Sequence, residues 1–222
     1  MRRGMEGEAM RRRVQRGRGV AMLVILAGWS TLIGCAAPPP PVDHHYRLAV
    51  ESPPALEVPP LEGRLEVARL RAESIAQGRQ IAYRSTDRPN EIRLYAYHHW
   101  VDPLPLMIQG VLGQTLREAG VADEVSIPAF RIERDYVLYG RIVAFEQVLE
   151  GATSRGQVEI ELSLVREADE SLLLQRTYRE EIGAASEDIN DTVRALSLGL
   201  SRVIERLSSD LGARPRPVRS SR

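Results

Sequence analysis

One cysteine, no lysine and two phenylalanines are spread over 222 residues. A lone cysteine cannot close an internal disulfide. All 30 basic side chains are arginine, which reads as genomic composition rather than as a functional signal. Aromatics make up 5% of the chain, and no basic face interleaves with them, which argues against nucleic-acid binding. No G-x-S-x-G elbow, P-loop or internal repeat occurs. No apolar run reaches the roughly 20 residues that a transmembrane helix needs.

What is present begins at the N-terminus. Residues 2–18 hold seven arginines and two glutamates, and "VAMLVILAGWSTLI" follows at residues 20–33. A basic segment before a short apolar one is the layout of a secretory signal. Leu32, Ile33, Gly34 and Cys35 close the run. That order resembles the bacterial lipobox. The resemblance implies a signal peptide over residues 1–34 and a mature chain starting at an acylated Cys35. A diacylglycerol thioether plus an amide-linked acyl chain anchors stably, at about 0.8 kcal/mol per buried methylene. The competing reading is a cleaved secretory peptide with an incidental cysteine. Met5 and Met10 are alternative starts. Ala36, where aspartate would favour inner-membrane retention in such lipoproteins, implies the outer membrane, on its periplasmic face.

Residues 35–44 form the tether. Four prolines, Pro38 to Pro41, favour polyproline II, and the segment reaches up to roughly 30 Å. Beyond residue 34, 23 arginines face 28 acids, an ordinary solvated surface of mixed sign.

The body is expected over residues 45–211, with a basic disordered tail at 212–222. Strands are expected at residues 45–50 and 65–70. "GRQIAYRS" and "EIRLYAYHH" flank "TDRPN" as a hairpin. Alternation in the second run places Ile92, Leu94 and Ala96 toward the core. Arg93, Tyr95, Tyr97 and His99 then lie on the opposite face. Asp102 and Pro103 open a helix with Leu104, Ile108, Val111, Leu112 and Leu116 at helical spacing, ended by Gly120. Three long strands follow as a meander, with a bulge expected at Gly140. The last helix, capped by Ser186, carries Ile189, Val193, Leu196, Leu200, Val203, Ile204, Leu207 and Leu211 in one stripe. The pattern predicts an α+β fold: a largely antiparallel sheet with two amphipathic helices packed on one face.

Chemistry is harder to find. His44–His45 and His98–His99 are sequence neighbours, which point to opposite faces of a strand, so neither pair alone chelates a metal. No metal, cofactor or catalytic group is expected, apart from the covalent lipid on Cys35. Glu180–Glu181 and Glu187–Asp188 read as solvated surface rather than as acid–base pairs. Trp100 reads as a core plug at a strand-to-helix corner, against the alternative of direct ligand contact. Arg93, Tyr95 and Tyr97 are interface candidates, since tyrosine and arginine suit protein contacts; the alternative is an ordinary solvated sheet face.

Several of these residues also carry a family resemblance. Ile81, Tyr83 and Arg84 form an apolar–x–Tyr–Arg strand. Tyr95 and Tyr97 lie on the next, followed by Trp100, Asp102, Pro103, and Leu112 and Leu116 on a helix. With the glycine-centred strand "YVLYGRIVAFEQV" and the C-terminal helix, this resembles the ABC-type transport auxiliary lipoproteins, the group containing paraquat-inducible protein C. The proline stretch 53–60 falls outside that pattern. The resemblance implies a non-catalytic outer-membrane lipoprotein. Its partners would be an MCE-domain protein and inner-membrane transport components, with homo-oligomerisation a further expectation. Its cargo would be lipids or other hydrophobic molecules. The alternative is a structural or assembly lipoprotein for another outer-membrane machine.

Overall fold

A computed structural model describes residues 40–72, 74–128 and 133–213. The leader, Cys35, the first half of the proline run and the tail from residue 214 lie outside the described residues. The chain divides into units of residues 1–41 and 42–222, and the fold below is that of the second.

The strands in chain order are β1 (His44–Tyr46), β2 (Leu61–Val67), β3 (Arg71–Ala72), β4 (Gln80–Ser85), β5 (Arg93–Trp100), β6 (Ala122–Ser126), β7 (Tyr136–Glu150), β8 (Thr153–Arg166) and β9 (Ser171–Gly183). Helix α1 (Leu104–Glu118) separates β5 from β6, and α2 (Ile189–Gly212) follows β9. All nine strands join one sheet.

β7 organises the sheet. One edge pairs antiparallel with β8 along its whole length, from Tyr136↔Arg166 to Glu150↔Thr153. The other edge is shared end to end by β2, β3 and β4, each parallel to it. β6 extends β2 in parallel, β5 extends β4 as an antiparallel hairpin, and β1 closes that edge parallel to β5. The fold is therefore α+β, as expected; its longest ladders are antiparallel, but the sheet also contains parallel pairs and is mixed. Hairpins are local and announce themselves by their turns. Parallel pairs need a crossover, and the chain through α1 supplies the one that returns β7 alongside β4.

The meander β7–β8–β9 follows from alternation. Val158, Ile160, Leu162 and Leu164 of β8 are fully buried, while Glu159, Glu161 and Ser163 between them remain partly exposed. All eight stripe residues of α2 are buried and join α1's Leu104, Ile108, Leu112 and Leu116 in one core. Helix α2 lies so close to β8 that a Cβ on Gly156 would stand 2.9 Å from the backbone nitrogen of Leu196. Asp188, not Ser186, caps α2, accepting from the Asn190 amide at 2.7 Å. Ser186 instead accepts from the Asp188 amide and donates to Asp191.

Helix α1 starts at Pro103 with no side-chain cap, so Asp102 does not cap it. The Leu104 amide finds the Gly78 carbonyl instead, at 3.2 Å. Gly120 follows the helix with a left-handed φ of 65°, a conformation glycine adopts without steric cost. The β7 bulge lies at Val143, between the Ile142 and Ala144 pairings, rather than at Gly140. Gly140 serves packing: a Cβ there would stand 2.8 Å from Leu70 Cγ and 3.0 Å from Leu162 Cδ2.

Candidate interaction surface

β5 carries the interface candidates, and its pairing with β4 decides where they point. Ala82 faces Leu94 and Gln80 faces His99, so two steps on β4 oppose five on β5. Such an irregularity breaks strict alternation. Ile92 is 41% exposed and Ala96 is exposed, so the expected inward set does not sit beneath the helices. Tyr95, expected outward, turns inward and is half-buried.

The Tyr95 hydroxyl donates to Gln147 Oε1 at 2.5 Å. Gln147, fully buried on β7, donates to Ser154 Oγ at 2.8 Å and to the Glu187 carbonyl at 3.2 Å. Ser154 in turn lies 3.5 Å from the Thr192 hydroxyl on α2. This chain of polar groups ties β5, β7, β8 and the start of α2 together. Its logic is satisfaction, because a buried amide without partners costs about 1–3 kcal/mol. Burial, with Tyr83 and Glu187 nearby, pushes the Tyr95 phenol up to about 12. The Tyr83 and Tyr95 rings lie 4.4 Å apart between centroids.

Arg93 and Tyr97 remain exposed, Tyr97 at 45%. Arg93 Nε pairs with Glu91 at 2.7 Å. The three candidates thus separate into two surface side chains and one packed residue.

Trp100 ends β5 at 1% exposure, with its ring edge-on to Phe145 at 5.8 Å between centroids. Arg79 clamps its backbone: the Trp100 amide donates to the Arg79 carbonyl, and Arg79 Nε donates back to the Trp100 carbonyl. His98 and His99 meet His44 and His45 across the β1–β5 ladder, a juxtaposition sequence neighbours do not reveal.

Arginine–carboxylate pairs link neighbouring strands, one of them largely buried and the others exposed. Arg84 donates from Nε to Glu146 at 2.5 Å and from Nη2 to Gln157 Oε1 at 2.6 Å, Arg141 meets Glu161 at 2.8 Å, and Arg155 bridges Glu150 and Glu181. The exposed pairs are worth about 0–1 kcal/mol each. Where β9 meets α2, the buried Tyr178 donates to Asp210 at 2.7 Å and lies beneath the Arg206 guanidinium. Burial and the Asp210 carboxylate push its phenol well above the usual tyrosine value. Neither this anchor nor the Gln147 network was legible in the sequence.

A cleft of ≈ 910 Å³ opens between the chain just after β1 and the first half of α2. It is lined by both signs of charge, including Arg47, Glu51, Asp188, Asp191 and Arg194. Among the described residues, no cluster of three histidine, cysteine or acidic side chains is placed to hold a metal. No described helix is long and apolar enough to cross a membrane.

Comparison with known proteins gives this architecture a family. No curated protein matches the chain significantly. A Xanthomonas campestris protein of the family DUF330, known from a crystal structure, matches with a TM-score of 0.66 at 22% identity, covering 74% of this chain and 92% of its own. An uncharacterized protein of known crystal structure matches with a TM-score of 0.58 at 13% identity, covering 77% and 99%. These likenesses concern the fold alone. The sequence model of the ABC-type transport auxiliary lipoprotein component matches residues 46–208, nearly the whole described body, and the chain belongs to that family.

Proposed function

We propose that the chain is a non-catalytic outer-membrane lipoprotein, acylated on Cys35, that serves an MCE/ABC-type system. That system would move lipids or other hydrophobic molecules across the cell envelope. The family match over residues 46–208 is the observation that carries this reading. The lipobox-like order Leu32, Ile33, Gly34, Cys35 supports the anchor, and Ala36 supports the outer membrane. The arrangement of polar groups supports an adaptor: Tyr95, Tyr178, Glu146 and Asp210 are engaged with structural partners rather than converging on a reacting centre.

In this role the body docks an MCE-domain protein, which connects to inner-membrane transport components. Arg93 and Tyr97 are the side chains proposed to meet that partner or a second copy, with Tyr95 holding the strand beneath them. The test is co-purification from solubilised membranes. Affinity-tagged chain is expected to retain an MCE-domain protein, and the double variant Arg93→Ser, Tyr97→Ser to retain less of it while folding normally. Recovery of a different outer-membrane assembly with no MCE-domain protein would overturn the transport reading.

A further inference from the structure

Four histidines occur in this chain, and all four lie in one ladder of three residue pairs. β1 pairs with β5 in the register His44↔His98, His45↔His99 and Tyr46↔Trp100. The His44 and His98 rings stack at 5.2 Å between centroids, inclined by 14°, and the His45 and His99 rings lie 5.6 Å apart. β1 is three residues long, is the sheet's outermost strand and follows directly on the proline run.

We propose that β1 is an acid-released clasp: its cross-strand histidine pairs dock the strand when neutral and free it when they gain protons. A stacked pair of neutral imidazoles packs as two flat rings, whereas two imidazolium ions in the same place repel. Like charges directly opposite each other destabilise a strand pair, and histidine is the side chain that changes charge between about pH 5 and 8.

The surrounding charges do not cancel this. On the His44–His98 side stand Tyr46, whose hydroxyl is 2.8 Å from His98 Nδ1, Tyr95 edge-on to His98, and Asp188 at the start of α2. On the other side, Asp43 lies 3.5 Å from His99 Nε2 and is 61% exposed, while Gln80 of β4 is neutral. The cleft beside His45 holds Arg47 and Arg194 against Glu51 and Asp191. With Arg47 and Arg194 offsetting Glu51 and Asp191, Asp43 and Asp188 are the two carboxylates left facing four imidazoles, and the more exposed one is screened by water. Burial and the neighbouring His44 and His99 hold His98 below the usual histidine value of 6.5, with Asp188 pulling the other way. A lowered histidine costs the docked state nothing above its ordinary value. It costs progressively more as pH falls below 6.5, because His98 takes the proton more readily once β1 has left it.

The structure also sets where release stops. Past β1, the Ala49 amide donates to Ser197 Oγ at 3.2 Å and the Glu51 amide to Ser201 Oγ at 3.1 Å. These bonds to α2 involve no titrating group. Release therefore frees the chain through about residue 47 and adds roughly 15 Å of reach to the tether. That consequence rests on the Cys35 anchor reading; the clasp itself does not.

Amide hydrogen exchange on the full mature lipoprotein in detergent tests it, with intrinsic exchange rates corrected for pH. The reporter is the Val101 amide, which donates to the Tyr46 carbonyl at 3.0 Å. Between about pH 7.5 and about pH 5.5, its protection and that of the 44–47 amides is expected to fall at least about tenfold. Ala49 and Glu51 should hold. Replacing all four histidines by Gln should abolish the pH dependence, and the single exposed substitution His44→Gln should weaken it if the fourfold variant folds poorly. Unchanged Val101 protection at the lower pH would overturn the proposal. So would an equal loss at Ile160 in the sheet centre, which would mean global acid unfolding, or a pH dependence as large in the variants as in the unaltered chain.

Discussion

Where β8 meets α2, the interface is apolar and close-packed: Gly156 lets the helix backbone approach, and Leu196, Leu200 and Leu207 are fully buried over Val158, Ile160 and Leu162. At the β1–β5 edge the same sheet is built from histidine and tyrosine rings, hydroxyls and an amide, half-buried and hydrogen-bonded across strands. The first region draws stability from apolar burial, which involves no titrating group. The second depends on the satisfaction of polar groups and on protonation state. The difference teaches that the fold keeps its rigid mass beneath α2 and leaves its adjustable contacts where the chain arrives from the tether.

Substitutions can break or sharpen that contrast. The largest effect is expected at Trp100, where β5 leaves the polar edge and enters the core. Trp100→Ala should cost about 3–5 kcal/mol, measured by urea unfolding of the body. A cost under about 1 kcal/mol would place Trp100 with the adjustable edge instead. Next comes Gly156→Ala. The added methyl meets backbone atoms of α2, which cannot rotate away, so about 1–3 kcal/mol is expected in the same experiment.

Tyr95→Phe removes one hydroxyl and leaves Gln147 Oε1 buried without its donor. A cost of about 1–3 kcal/mol is expected, with faster amide exchange near Thr192 as the network loosens. The smallest effect should come from Arg141→Ala, which breaks an exposed pair with Glu161 and should change stability by less than about 1 kcal/mol. Its effect should fade further at high salt.

The contrast also explains which parts of the fold were legible in the sequence. The α2 stripe and the β7–β9 meander were readable because period and turn are local properties: the eight stripe residues from Ile189 to Leu211 fall on one helix face. β6 was not, because "ADEVS" offers no apolar alternation and owes its strand to pairing with β2. The inward turn of Tyr95 was hidden because the irregular pairing after Leu94 depends on β4, not on β5's own pattern. The histidine pairs were hidden for the same reason. Each is assembled from residues more than fifty positions apart, through a parallel pairing that has no turn to announce it. Trp100 at a strand-to-helix corner was readable because its size and position leave few places to put it.

The central proposal is that the mature chain is anchored through a lipid on Cys35. The most direct measurement is the intact mass and N-terminal peptide of the chain purified from membranes of cells that express it. The account predicts a chain that starts at Cys35 and carries diacylglycerol and an amide-linked acyl group, and a Cys35→Ser variant that leaves the membrane fraction. A mature chain starting elsewhere, or a Cys35→Ser variant that stays in the membrane fraction through salt washing, would contradict it.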